Sequence, residues 1–153
     1  MIRLEGGAIA GRRVVVVEDG PTLTHGQMTF GAGIVAARRQ GAIAVDPRPH
    51  AVGSIKRVLD EHPGLESLVP AMGYGDEQVA ELEATLEATP ADLILSATPI
   101  DLTRIMHFTK PVVRVRYDLD EVDPDGLRGP IAAALEGRRG GTGLESVPSA
   151  AGR

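Results

Sequence analysis

The chain contains no cysteine and no tryptophan, and aromatic residues make up only 3% of its 153 residues. The absence of cysteine excludes disulfides, thiolate metal sites and cysteine nucleophiles. The scarcity of aromatic side chains leaves no stacking platform for single-stranded nucleic acid. The formal net charge of −5 also disfavours duplex binding, which needs a basic surface. We therefore expect no nucleic-acid partner and a core built from aliphatic side chains.

Long hydrophobic runs are absent as well. No apolar run approaches the roughly 20 residues that a helix needs to cross a bilayer, and residues 1–5 lack the charged-then-apolar order of a signal peptide. We expect a cytoplasmic protein without membrane contact. The length predicts a single domain over residues 1–136. Residues 137–153 are rich in Gly, Ser and Arg and almost free of core-forming side chains, which predicts a disordered tail.

Short apolar runs alternate along the chain with amphipathic helical patterns. The runs at residues 13–18, 42–45, 65–69, 93–97 and 111–117 predict strands, and the patterns at 26–40, 52–61, 76–86, 102–106 and 127–135 predict helices. This alternation predicts an α/β fold with a Rossmann-like, doubly wound, mainly parallel sheet of about five strands and helices on both faces. Arg114 and Arg116 alternate with valines in the last run, which favours a place near an edge of the sheet.

Polar segments follow four of the predicted strands, at residues 18–26, 46–50, 70–75 and 98–101. Parallel strands carry their carboxyl ends to one edge of the sheet, where ligands bind in such folds. In the first segment, Glu18 and Asp19 are candidate catalytic residues that could orient a base, and Asp19 is also a candidate ligand of Mg²⁺. His25 is the candidate general acid or base. Ordinary turn and capping chemistry is the alternative interpretation of this segment.

The candidate ligand-binding residues are hydroxyl, basic and turn residues near these strand ends: Thr22, Thr24, Arg48, Ser54, Lys56, Tyr74 and Asp101. The two threonines could contact an anion or cap a helix. Arg48 lies between two prolines, so it is presented rigidly for a carboxylate or phosphate; the alternative is a pairing with Asp46 or Glu18.

The remaining candidates also have two interpretations each. Ser54 and Lys56 begin a predicted helix and could extend the anion site, although a lysine there is commonly solvated. Tyr74 could cover a ligand or pack over its own turn. Asp101 stands at a helix start, where capping is the alternative to a ligand contact.

Several sequence signatures of nucleotide and metal chemistry are missing. The chain has no P-loop, no Gly-x-Gly-x-x-Gly after the first predicted strand, no His-Glu-x-x-His and no nucleophile elbow. Residues 31–33, Gly-Ala-Gly, fall inside a predicted helix, where close packing explains them better than phosphate binding. The sequence therefore gives no sign that this chain binds a nucleotide by itself.

Five segments taken together resemble a known family. They are VVVVEDGPTLTHG at residues 14–26, VDPRPHAVGSIK at 45–56, PAMGYG at 70–75, TPIDL at 98–102 and KPVVRVRY at 110–117. In this order they are similar to the C-terminal domain of the cyclic 2,3-diphosphoglycerate synthetase-like predicted GTPases. The resemblance covers roughly residues 9–119. Members of that family join an N-terminal Rossmann-like region, a P-loop region and this C-terminal region.

The resemblance implies a stand-alone C-terminal domain that acts as one component of a split, NTP-dependent synthetase of the ligase type. The resemblance implies a small phosphorylated or carboxylated metabolite as ligand. Mg²⁺ would be held partly by phosphate oxygens, and a nucleotide would be bound only through a P-loop partner subunit. We also expect a homo-oligomer. Two other functions stay open at this point: an autonomous lyase or isomerase using His25, and a non-catalytic oligomeric scaffold whose loops form the subunit interface.

Overall fold

A computed structural model describes residues 1–117; the predicted helix 127–135, the domain end at 136 and the tail 137–153 lie outside the described residues. The strands are β1 (Ile2–Glu5), β2 (Arg13–Asp19), β3 (Ile43–Ala44), β4 (Val69–Ala71), β5 (Leu93–Ala97) and β6 (Val112–Tyr117). The helices are α1 (Gly20–His25), α2 (Ala32–Arg39), α3 (Gly53–Glu61) and α4 (Asp76–Ala88), with 3-10 turns at Arg48–His50 and Leu102–Arg104.

The strands form one mixed, mainly parallel sheet in the order β1-β6-β5-β2-β3, with β4 also pairing with β2. Strand β2 is parallel to β3, β4 and β5, and β5 is parallel to β6. The chain moves from β2 to β3 and β4 on one side and then crosses to β5 on the other side of β2. The predicted α/β fold is confirmed, and the change of direction places a topological switch point between β2 and β5.

The sheet has six strands among residues 1–117, not about five, because the sequence interpretation omitted β1. Strand β1 pairs antiparallel with β6, so that Ile2 lies opposite Tyr117 and Glu5 opposite Arg114. Its residues alternate between half-buried and exposed, as expected for an edge strand. Strand β6 consequently lies one position inside the edge.

The segment after β2 is a helix and not the turn-rich loop that was predicted for residues 18–26. Asp19 caps α1, since its carboxylate accepts the backbone N–H of Thr22 at 3.3 Å, and Pro21 occupies the first turn, where its missing N–H costs nothing. The predicted helix 26–40 shrinks to α2. Gln27 separates the two helices with a φ of 52°, a left-handed conformation that no continuous helix allows.

Two further elements are shifted relative to their predictions. Strand β4 begins at Val69 instead of residue 65 and includes Pro70, which the sequence interpretation had placed in a loop. The proline is compatible with the strand because β4 is only three residues long and pairs with β2 on one side. The helix predicted at 102–106 is a single 3-10 turn.

The core is aliphatic and centres on β2 and β5. Val14, Val15, Val16 and Val17 are fully buried, and so are the three apolar residues that begin β5. Helix α2 packs on β2 and β5, while α3 and α4 pack on each other and on β4. Consecutive residues of β2 and of β5 point to opposite faces and are buried alike, so both faces of these two strands are covered. Within residues 1–117 the longest helix has 13 residues, and none is long and apolar enough to cross a membrane.

The strands that pair with β2 end at different heights along it. Ala71 of β4 lies opposite Asp19, and Ala97 of β5 lies opposite Glu18, so these ends meet at one edge. Ala44, the end of β3, lies opposite Val14. At ~3.3 Å per residue, β3 stops roughly 15 Å short of that edge. The expectation that all four polar segments share one edge is therefore wrong for residues 46–50.

Candidate functional site

A crevice of about 240 Å³ opens at the carboxyl ends of β2 and β5, where the strand order reverses. Its polar lining comes from Glu18, Asp19 and Thr22. The remaining lining is one tyrosine, Tyr117, with apolar residues and a glycine: Leu23, Met28, Gly31, Ala32, Ala97 and Pro99. Three of the predicted site residues are thus brought together at the position where open α/β sheets bind ligands.

Glu18 forms the inner wall of this crevice and is only 3% exposed. One carboxylate oxygen, Oε1, accepts the backbone N–H of Ile34 at 2.9 Å, in the first turn of α2. Burial raises the pKa of Glu18, although N–H groups of Ile34, Gly31 and Gly33 at the helix start oppose that rise. The carboxylate therefore fills the N-terminus of α2, the place where an anionic ligand would otherwise bind.

Two glycines make room for the Glu18 carboxylate. A Cβ on Gly31 would lie 1.9 Å from Glu18 Oε2, and a Cβ on Gly33 would lie 2.6 Å from Val16 Cγ1 and 3.0 Å from Glu18 Oε1. Close packing, as the sequence indicated, is the role of this Gly-Ala-Gly segment. The sequence interpretation missed that the group packed against these glycines is the Glu18 carboxylate. The sequence signal for it was a glutamate at a strand end followed by Gly-x-Gly at a helix start.

Asp19 forms the outer acidic wall and is half-buried. Its Oδ2 accepts both the backbone N–H and the hydroxyl of Thr22. Its Oδ1 makes no hydrogen bond to any residue in 1–117. Thr24 donates its hydroxyl to the carbonyl of Gly20 at 3.1 Å, one turn back in α1, and does not line the crevice.

The start of α3 is also occupied by a carboxylate of the chain itself. Glu81 accepts the backbone N–H of Ser54 at 3.0 Å and the Ser54 hydroxyl. The hydrogen bonds from the Ser54 hydroxyl and N–H lower the pKa of Glu81. Ser54 lies at a separate open depression with Arg57 and the first turn of α4, away from the crevice.

Tyr74 is partly buried and packs against the hydrophobic core. Its hydroxyl is buried, and burial, followed by the negative charge of Asp19, raises its pKa. The Thr98 side chain lies close enough to oppose this rise in the pKa of Tyr74. The Thr98 hydroxyl, however, is hydrogen-bonded to the Ser96 hydroxyl at 3.0 Å and donates to the Ile100 carbonyl at 2.9 Å. The Tyr74 hydroxyl consequently has no well-formed hydrogen bond within residues 1–117.

Arg48 does not reach the crevice. Its guanidinium and its backbone N–H both donate to Asp46 Oδ1 at 3.1 Å, and the guanidinium also donates to the Leu65 carbonyl. It therefore ties its own loop to the segment before β4, which is the pairing alternative considered from sequence. His25 is exposed at the far end of α1 from Asp19, and its imidazole makes no hydrogen bond or ion pair with residues 1–117.

Two more candidates are engaged in local contacts. Lys56 pairs with Asp60 one turn along α3, at 2.7 Å. Asp101 accepts the N–H and hydroxyl of Thr103, so it caps the 3-10 turn, and it lies 3.5 Å from the guanidinium of Arg114. The Thr103 hydroxyl is the main cause of the lowered pKa of Asp101. Residues 1–117 hold no cluster of three or more side chains suited to metal binding.

The fold and the crevice define an α/β domain with an open crevice at its topological switch point. Comparison with known proteins adds a relative: the chain is 52% identical over 121 residues to arginine synthetase ArcE of Thermococcus kodakarensis. The match covers 78% of this chain and 27% of the synthetase, so the chain spans about a quarter of the curated relative that it matches. The chain is therefore homologous to part of that enzyme. No family model and no solved structure matches the chain.

Proposed function

We propose that this chain is the small-molecule binding part of an NTP-dependent synthetase related to arginine synthetase, with the crevice between β2 and β5 as its site. The resemblance to the cyclic 2,3-diphosphoglycerate synthetase-like family and the homology to part of arginine synthetase support the same enzyme class. The observation that carries the proposal is the match itself: 52% identity extends over most of the chain, and the described part has an open crevice at the switch point.

The nucleotide chemistry would come from the remainder of such a synthetase. This chain has no P-loop, and the starts of α1, α2 and α3 are filled by Asp19, Glu18 and Glu81. A P-loop region, in the same polypeptide or in a partner subunit, would hold the NTP and deliver it to the ligand in the crevice. Mg²⁺ would arrive bound to the phosphates of the nucleotide, whose oxygens would supply most of its ligands.

A thermal-shift screen of the full 153-residue chain tests this proposal. The panel holds L-arginine and other amino acids, phosphorylated three-carbon acids, and ATP or GTP with and without Mg²⁺. A ligand at a hundredfold excess over its Kd stabilises the folded state by about 2.7 kcal/mol. We expect a shift with a small carboxylated or phosphorylated compound and none with nucleotide alone.

A matched pair of variants locates the binding site. Thr22→Arg places a long side chain into the crevice wall, whereas Thr109→Arg makes the same change at another exposed threonine that donates to a carboxylate, that of Glu87. The first variant should abolish the ligand-induced shift and the second should keep it. No shift with any compound of the panel, or equal shifts in both variants, would contradict the proposal.

A further inference from the structure

The charges around the crevice are all of one sign. Its lining contains the carboxylates of Glu18 and Asp19 and no Lys, Arg or His. The basic candidates of the neighbouring segments are engaged elsewhere: Arg48 with Asp46, Arg114 with Asp101, and Lys56 with Asp60. A phosphate or carboxylate in the crevice would therefore meet like charge without a compensating cation from residues 1–117.

The two backbone sites that could offset this negative charge are already used. The first N–H groups of α2 point to Glu18, and the N–H of Thr22 in α1 points to Asp19. A helix start binds an anion through such free N–H groups. Because the chain supplies its own carboxylate at each of these helix starts, an anionic ligand there would meet like charge.

The two carboxylates differ in what they can still bind. Glu18 is buried, and its Oε1 accepts the N–H of Ile34 at the start of α2. Asp19 is half-buried, uses Oδ2 for Thr22, and keeps Oδ1 without a hydrogen bond among residues 1–117. The other walls are the aliphatic side chains of Leu23, Met28 and Ala97. A short aliphatic stem ending in an N–H-bearing cation is complementary to this combination of surfaces.

We propose that the crevice binds the guanidinium- or ammonium-bearing end of its ligand, with Asp19 Oδ1 as the counter-ion and the aliphatic walls around the stem. This inference rests on the proposed function, because it assigns a ligand class to the same site. The carboxylate of a basic amino acid would then lie outside the crevice, towards solvent or the remainder of the synthetase. A phosphate group on the ligand would likewise lie outside the crevice.

Two fragments of equal shape isolate the charge. N-butylguanidinium and N-butylurea are titrated separately into the isotopically labelled full chain, and amide chemical shifts report both affinity and location. The guanidinium compound should bind about tenfold or more tightly than the urea. The perturbed amides should be those of residues 18–22, 31–33 and 97. Added salt should weaken the guanidinium complex and leave the urea titration unchanged.

Variants of matched chemistry test the assignment to Asp19. Asp19→Asn should remove the preference for guanidinium over urea. Glu87→Gln should keep it, since Glu87 likewise accepts the N–H and hydroxyl of a threonine, Thr109, but lies outside the crevice. Equal affinity for both fragments, no binding of the guanidinium fragment, or an unchanged preference in Asp19→Asn would overturn the inference.

The two proposals fail in different ways. If L-arginine or a phosphorylated acid stabilises the chain and Thr22→Arg abolishes the shift, the proposed function stands. If, in addition, inorganic phosphate perturbs the crevice amides and butylguanidinium does not, the inference about the cationic ligand is overturned while the proposed function still stands. If butylguanidinium binds at the crevice while the whole screen gives no shift, the charge inference stands and the synthetase proposal fails.

Discussion

Replacing Glu18 by alanine tests whether the packing of its carboxylate on α2 is a main support of the fold. The change leaves the buried N–H of Ile34, which Glu18 accepts at 2.9 Å, without an acceptor, at a cost of about 1–3 kcal/mol. The favourable interaction of the charge with the start of α2 does not add to this cost, because burial outweighs it and raises the pKa of Glu18. We therefore expect Glu18→Ala to lower the free energy of unfolding by about 1–3 kcal/mol.

Urea denaturation followed by far-UV circular dichroism measures this loss as a lower midpoint at unchanged m-value. Glu18→Gln is the matched variant, because its amide oxygen can still accept the Ile34 N–H, and it should lose less stability than the alanine variant. A loss below about 1 kcal/mol in Glu18→Ala, or a larger loss in Glu18→Gln, would refute this account of the carboxylate.

The pH dependence of the same two proteins tests the burial of charge. Burial raises the pKa of Glu18, so over the window between its ordinary and its raised pKa the folded chain holds a proton that the unfolded chain has released. The free energy of unfolding must then fall as pH rises through that window, by at most about 1.4 kcal/mol per pH unit. Glu18→Gln lacks this proton. A stability difference between wild type and Glu18→Gln that stays constant from about pH 4 to pH 8 would contradict the argument.

Three further changes have expected outcomes. Gly33→Ala improves helix propensity but places a Cβ 2.6 Å from Val16 Cγ1, so we expect thermal unfolding to show a free energy of unfolding lower by about 1–3 kcal/mol. An increase in Tm would show instead that the surrounding side chains rearrange to accommodate the methyl group. Gln27→Gly relieves a φ of 52° and should stabilise the chain by about 0.5–1 kcal/mol in the same assay. If the variant is no more stable than the wild type, the backbone at this position is not strained. Ser54→Ala removes the hydroxyl that lowers the pKa of Glu81, so NMR titration should find that pKa closer to its ordinary value; an unmoved pKa would mean that the backbone N–H alone is responsible.

Much of the fold could be predicted from local pattern. The unbroken β-branched run of β2 and the apolar run of β5 indicated buried strands, and the structure confirms both. Helix α3 was predicted within one residue. Strand β1 was missed because four residues carry too little pattern, and its partner β6 lies at the other end of the described chain.

The candidate site was predictable in part. Glu18, Asp19 and Thr22 were selected from one segment and do line one crevice. Arg48 was selected on the assumption that β3 ends level with β2, and only the register of the sheet places it lower. Capping was the structural alternative for Asp101, and its contacts with Thr103 fit that alternative.

The sequence by itself determined the class of fold, the aliphatic core and the identity of the acidic segment after β2. Those properties follow from the periodicity and chemistry of neighbouring residues, which act at short range. Only the tertiary structure decided that β5 lies beside β2, that the Glu18 carboxylate packs on the start of α2, and that Asp19 Oδ1 accepts no hydrogen bond from residues 1–117. Strand pairing and helix docking depend on the packing of residues far apart in the chain, and local pattern does not encode which of them meet.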